Sequence, residues 1–268
     1  ERAALSEPWA ENRQRTENLG ATYEPFHDEP FDDALAYPPD PYGDWQQHPF
    51  QYLRNDPGFD GDVLYVLDEG PGRDMETLNL AANRTPYRFT YRGEWTGAVD
   101  PVTPRLQQLE VLEGQRVNAT STLGVPARAS SATVRVETTE GYARYEVGGV
   151  EPEGSLTVEW TLTSDGARVT NLPAATESAQ VAIPDGASEV DLVVTFVTQS
   201  GATVTYRQEA TVEASDDRIR VVWPPETRVC SLTTECGTEG TYVGPDGDYV
   251  SGVSVETDAQ VIPANESA

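Results

Sequence analysis

The chain has 268 residues, with 45 acidic against 18 basic side chains and a formal net charge of -27. No basic stripe is present to replace the counterions of a phosphate backbone, so nucleic acid is excluded as an expected partner. Hydrophobic residues make up 37 %, which together with strand-like periodicity beyond about residue 60 excludes a chain disordered throughout, and no apolar run approaches the roughly 20 residues of a membrane-spanning helix.

Residues 1–62 form the first segment. Ser6-Glu7-Pro8 reads as a helix start with proline in the first turn, and Gly20 caps the polar stretch that ends at Leu19. The apolar face between Trp9 and Leu19 is thin, so this short helix needs a neighbour. The stretch that follows, ATYEPFHDEPFDDALAYPPDPYGDWQQHPFQYLRNDPGFDGD, has repeated prolines, aromatics and acids and no period of 2 or 3.6; it reads as irregular chain. Its aromatics, Tyr23, Phe26, Phe31, Tyr37, Tyr42, Trp45, Phe50, Tyr52 and Phe59, are too many to leave in water. Two surfaces can cover them, a neighbouring subunit or this chain's own β-domain, and the expectation is a docking arm on other protein subunits, in a homo- or hetero-oligomer. The arm also holds the only histidines, His27 and His48. His27-Asp28 has the residue types of half a catalytic pair, but no GxSxG-like nucleophile signature accompanies it, so His27 is expected to be an arm residue, packed or solvated.

The second segment, residues 63–130, is β-rich. DVLYVL (62–67) is a short apolar run. RTPYRFTYRGEW (84–95) alternates Tyr87, Phe89 and Tyr91 with Arg88, Thr90 and Arg92, and LQQLEVLEG follows. These strands are either a first sandwich of their own or extra strands of the next one.

The third segment, residues 131–223, carries ATVRVETT, YARYEVGG, LTVEWTLT, AQVAIP, EVDLVVTFVTQ, ATVTYRQEATV and RIRVVW, with Gly, Asp, Ser or Pro between most of them. No helical pattern intervenes, so an antiparallel β-sandwich is expected rather than βαβ units. Within VEWTLTSDG, Trp160 is expected in the core, sharing a face with Val158 and Leu162 by the period of two. Asp165-Gly166 is expected to reverse the chain. WPPE (223–226) reads as the end of the module, and residues 224–268 as a C-terminal extension or further hairpin.

That extension contains Cys230 and Cys236, without zinc-type spacing. A local disulfide is the simplest arrangement, with two free thiols as the alternative. A disulfide would point outside the cytoplasm, as do the glycosylation sequons at Asn83, Asn118 and Asn265. The expected location is therefore extracellular, at a cell or virion surface, with no membrane span in this chain and an anchor removed from it or left out. Asp60-Gly61-Asp62 and Asp246-Gly247-Asp248 each place two oxygen donors around a flexible glycine, which makes Asp60, Asp62, Asp246 and Asp248 weak calcium candidates. Asp-Gly is equally the favoured hairpin-turn pair. No other cofactor is expected.

From GYARYEV through the linker GGVEPEG, LTVEWTLTSDG and the long alternating strand to ATVTYRQEATVEA, residues 131–214 resemble a PKD-type immunoglobulin-like domain. Glu159-Trp160 stands at that family's aromatic strand, Val193, Thr195 and Val197 form one alternating set, and Ser200-Gly201 is the hairpin turn. Leu162 and Ser164 depart from the usual W-x-F-G-D-G pattern. The resemblance implies a spacer or adhesion architecture with no shared catalytic residues. All 18 basic residues are arginine, and an acidic, lysine-free surface resembles proteins of salt-loving organisms. At molar salt the Debye length falls to about 3 Å, and the self-repulsion of such a charge is screened.

The expected fold is all-β: one or more immunoglobulin-like antiparallel sandwiches behind a long, mostly irregular N-terminal arm with one short helix. The expected function is that of a non-enzymatic structural protein of an extracellular halophilic assembly, such as a surface layer, filament, or virus shell or spike. An extracellular glycan- or protein-binding adhesion module, stabilised by calcium, is the alternative. A secreted hydrolase is the third reading, and it would need two carboxylates held across a cleft.

Overall fold

The computed structural model describes residues 70–92, 103–232, 234, 236, 241–242 and 252–263. The chain divides into two compact units, Glu1–Leu67 with Phe89–Leu106, and Asp68–Arg88 with Gln107–Ala268. Of the first unit, only the backbone of residues 89–92 and 103–106 is described. These residues belong to β1 (Tyr87–Arg92) and β2 (Thr103–Gln108), which form a two-stranded sheet.

The second unit holds a sandwich of two sheets, all-β as expected, and every pairing within them is antiparallel. The smaller sheet has four strands in the order β14 (Val255–Ile262), β4 (Arg116–Gly124), β7 (Ser155–Thr163) and β8 (Gly166–Val169). The larger has eight. Its path runs β13 (Thr241–Tyr242), β12 (Glu226–Ser231), β10 (Thr203–Ser215), β9 (Gly186–Thr198), β5 (Ala129–Thr138) and β6 (Gly141–Glu146). Off this path, β11 (Arg218–Trp223) pairs with both β10 and β3 (Glu110–Gly114).

Alternation decides which residues face the other sheet. Val190, Leu192, Val194 and Phe196 of β9 and Val204, Tyr206, Ala210 and Val212 of β10 meet Val117, Ala119 and Leu123 of β4 and Val158, Trp160 and Leu162 of β7 in one buried cluster. Each large apolar side chain so buried contributes on the order of 1.5–3 kcal/mol. Trp160 packs against Trp223 with ring centroids 6.1 Å apart, and Phe196 meets Tyr206 edge-on at 5.7 Å. A buried polar chain joins the two sheets. Trp160 Nε1 donates to Ser121 Oγ (3.2 Å), Ser121 Oγ to Gln208 Oε1 (2.5 Å), and Gln208 Nε2 to Thr227 Oγ1 (3.2 Å). The long β9–β10 hairpin turns through Gly201, whose φ of 83° suits a residue without Cβ.

Several expectations need correction. Of the two arrangements left open for residues 63–130, β3 and β4 take the second and join the one sandwich, whereas residues 224–268 are not a separate extension: β14 pairs with β4, and β12 pairs with β10. The WPPE stretch does not end a module. β11 lines Ser215–Val212 of β10, and β12 then continues along the same edge from Glu209 to Val204. Pro224 and Pro225 lack the N–H a ladder requires, so they interrupt the edge without ending it. AQVAIP is not a strand; it contributes one bridge, Val181 to Ala167. LQQLEVLEG is split at Leu109 between β2 and β3.

The helix expected between Ser6 and Leu19 lies outside the described residues. A ten-residue helix, α1 (Pro71–Leu80), stands where the sequence suggested only strands. Pro71 occupies its first turn, where a missing N–H costs nothing, and Asp74 complements the N-terminal dipole. Met75 is its buried residue and lies outside the cluster that fills the sandwich. The helix packs against β9 and β10, and Asn79 Oδ1 accepts a hydrogen bond from Arg220 Nη2 of β11 (2.8 Å).

Candidate functional site

The face of the eight-stranded sheet that turns away from the sandwich core is strongly charged, and register orders the charges into rows. Glu137 lies opposite Asp191, Asp191 opposite Glu209, and Glu209 opposite Glu226. Four carboxylates thus cross β5, β9, β10 and β12 side by side. Two residues along, Arg135, Val193, Arg207 and Arg228 form the next row in the same way. Like charges directly opposite one another destabilise a sheet. Here the arginine row offsets them.

The pairing is dense. Arg207 Nη2 lies 2.8 Å from Asp191 Oδ2, and Arg207 Nε lies 2.8 Å from Glu209 Oε1. Arg228 Nη2 reaches Glu209 Oε2 at 2.9 Å and Glu226 Oε1 at 3.2 Å. Arg135 Nε pairs with Glu137 at 2.9 Å, and its Nη2 donates to the Thr234 carbonyl. From β1, Arg88 donates to the Pro224 carbonyl (3.0 Å) and approaches Glu226 at 3.8 Å. Tyr87 beside it is 52 % exposed.

The centre of this face is buried. Asp191 is only 7 % exposed, and Val193, Thr195, Thr205 and Cys230, further along the same face, are buried too. Asp191 Oδ2 is held by Arg207, while Oδ1 has no hydrogen-bond partner. Burial pushes the Asp191 carboxyl up to about 8; Arg207 pulls it back, and Glu189, Glu209 and Glu137 push it further. Glu209 is also raised by burial, against the pull of Arg228. One carboxylate oxygen from each of Glu189, Asp191 and Glu209 lies within 4.8 Å of the others. Glu189 is two residues from Asp191 along β9, on the side away from the arginine row, and no ion pair holds it among the described residues.

Chemically, the arrangement offers carboxylate oxygens for a cation and a proton-holding acid. Among the described residues it offers no histidine beside a nucleophile. In the turn that follows Trp160, Asp165 is exposed and Ser164 Oγ donates to the Asp216 carbonyl.

Of the residues singled out by sequence, Cys230 and Cys236 form a disulfide, with Cα atoms 5.4 Å apart. Trp160 is fully buried, as are Val158 and Leu162. Asn83 is exposed just beyond α1, and Asn118 is exposed on β4, where its Oδ1 accepts from Thr161 Oγ1 at 3.2 Å. Asn265, the calcium candidates Asp60, Asp62, Asp246 and Asp248, both histidines and the arm aromatics Tyr23 to Phe59 lie outside the described residues. The acidic row was missed. Its one sequence signal is Asp191, an acid inside the apolar run VDLVVTFV.

A family model described as a domain of unknown function (DUF7846) matches residues 34–210. No curated protein matches the chain, and no solved structure does.

Proposed function

We propose that this chain, which belongs to the DUF7846 family, is a non-catalytic structural module of an extracellular assembly in a salt-loving setting: a surface layer, a filament, or the shell or spike of a virus. The observation that carries this reading is the densely ion-paired charged face. Its arginines are engaged with carboxylates of the same sheet, while the whole chain keeps a net charge of -27 without lysine. Such a sheet is a stiff scaffold. The surplus acid suits concentrated salt, where repulsion is screened. The disulfide is compatible with an oxidising compartment, and among the described residues no helix is long and apolar enough to cross a membrane.

In this reading the aromatic N-terminal segment docks on a neighbouring subunit. The test is light scattering of the full chain and of a chain lacking residues 1–60, at about 1 M salt and above, where the Debye length is ~3 Å. The full chain assembles and the shortened chain does not; equal assembly of both removes the docking arm. The second reading, an adhesion module stapled by calcium, is favoured by the carboxylate cluster on β9 and β10. A glycan array probed with the full chain separates the two, because a scaffold gives no sugar-dependent signal.

A further inference from the structure

We propose that Glu189, Asp191 and Glu209 form a calcium site on the outer face of the eight-stranded sheet. The three carboxylates sit on adjacent antiparallel strands, with Asp191 and Glu209 in direct register, so the backbone rather than a loop sets their spacing. Oxygens within 4.8 Å of one another are close enough to ligate one cation between them. Calcium accepts an irregular set of protein oxygens, whereas magnesium demands near-ideal octahedral geometry and keeps its waters, so a cluster of three carboxylates fixed by strand register suits calcium better.

Spacing alone would not single out these acids on so acidic a protein. The second observation is Asp191 Oδ1, an oxygen on a side chain that is 10 % exposed, with no hydrogen-bond partner. Buried polar atoms without a partner are rare, and leaving one costs about 1–3 kcal/mol. The orphan belongs to the very carboxylate that links the other two. Charge placement adds direction. On one side of the Asp191–Glu209 pair, the Arg207 guanidinium bridges both carboxylates at 2.8 Å. On the other side Glu189 takes the corresponding place, and its cross-strand neighbour on β10 is Thr211. A cation there mirrors Arg207 and supplies the counter-charge that the acidic row lacks. Glu189 is half-buried, so water has access to complete the coordination. This site is independent of the assembly reading.

The test is calorimetric titration of the full chain with CaCl₂ and, separately, MgCl₂ at matched ionic strength. Wild type binds one Ca²⁺ per chain and prefers it to Mg²⁺. Glu189→Gln, at a half-buried position with no ion pair to lose among the described residues, keeps its calcium-free melting temperature and weakens binding about tenfold or more, because affinity follows the count of charged ligands. Asp191→Asn weakens it further. A chain with Asp60, Asp62, Asp246 and Asp248 all changed to Asn retains the wild-type isotherm. No saturable calcium binding overturns the proposal, as does an unchanged isotherm in Glu189→Gln, or a loss confined to the fourfold variant. Should Asp191→Asn fail to fold, Glu189→Gln decides alone.

Discussion

Asp191 and Glu209 face each other directly across β9 and β10, two carboxylates in cross-strand register, and a single guanidinium, Arg207, touches both at 2.8 Å. Glu137 and Glu226 extend the pair into a row of four. A sheet tolerates such a row only because the next row is basic, and only as far as each guanidinium reaches. Asp191 is the most buried of these acids and the worst served: one of its oxygens has no partner.

That deficit has a pH signature. Burial raises the Asp191 carboxyl from 3.8 to about 8 in the folded chain. Between those values the native state binds a proton that the unfolded state has released, so the slope of stability against pH is negative. The contribution of Asp191 is fully favourable below about pH 4, falls as pH rises to about 8, and is flat beyond. Urea unfolding of wild type and Asp191→Asn across pH 4 to 9 checks this. The stability of wild type relative to the variant falls through that window; a constant gap between the two contradicts the assignment.

Arg207 should be irreplaceable by lysine. Its Nε and Nη2 reach two carboxylates at once, which a single ammonium cannot do. Arg207→Lys keeps the charge and is expected to lose about 1 kcal/mol or more, the worth of one charge-assisted hydrogen bond. Arg207→Leu is expected to lose about 3 kcal/mol, toward the lower end for a broken buried pair because the side chain is partly exposed. Equal stability of wild type and Arg207→Lys in urea unfolding shows that charge alone matters.

The core polar chain gives a third expectation. Trp160→Ala removes the largest fully buried side chain and is expected to cost about 3–5 kcal/mol. Ser121→Ala removes only one oxygen but strands both Trp160 Nε1 and Gln208 Oε1, at about 1–3 kcal/mol for each unsatisfied group. Equilibrium unfolding measures both. A Ser121→Ala loss under about 0.5 kcal/mol, the size of an ordinary surface substitution, removes the chain as a link between the sheets.

What was legible in the sequence follows from the length over which a physical signal extends. Period-two alternation of apolar and polar residues runs the length of β10, and β9 shows a long apolar run, EVDLVVTFVT, buried without a break from Val190 to Phe196, so these strands, the Ser200-Gly201 turn and the inward Trp160 were readable, as was the disulfide between Cys230 and Cys236. Helix α1 was not, because PGRDMETLNL buries Met75 alone and its apolar stripe is too thin to show a 3.6 period. Pro224-Pro225 suggested a boundary, since proline breaks ladders; that β12 returns to the same neighbour is a tertiary fact. The acidic row was the least legible of all. Glu137, Asp191, Glu209 and Glu226 are scattered across 89 positions and meet only through the registers of four strands. The family match ends at residue 210, inside β10, yet β11, β12 and β14 beyond it complete the same two sheets.

Salt should separate the two electrostatic layers of the molecule. The surplus charge of -27 acts across the whole surface. At about 0.01 M salt the Debye length is ~30 Å, so carboxylates throughout the domain repel; at about 1 M it is ~3 Å and they do not. The arginine pairs on the eight-stranded sheet work at contact distance and in partial burial, where screening is weak. Raising NaCl therefore removes repulsion faster than attraction, and the urea midpoint of the full chain is expected to rise between these limits. Urea is the denaturant of choice because guanidinium would itself screen. Near pH 4.2, where the net charge vanishes, the same increase in salt is expected to do little. A midpoint that falls with salt at neutral pH would mean that the ion pairs outweigh the surplus charge, and the halophilic reading of the composition would go with it.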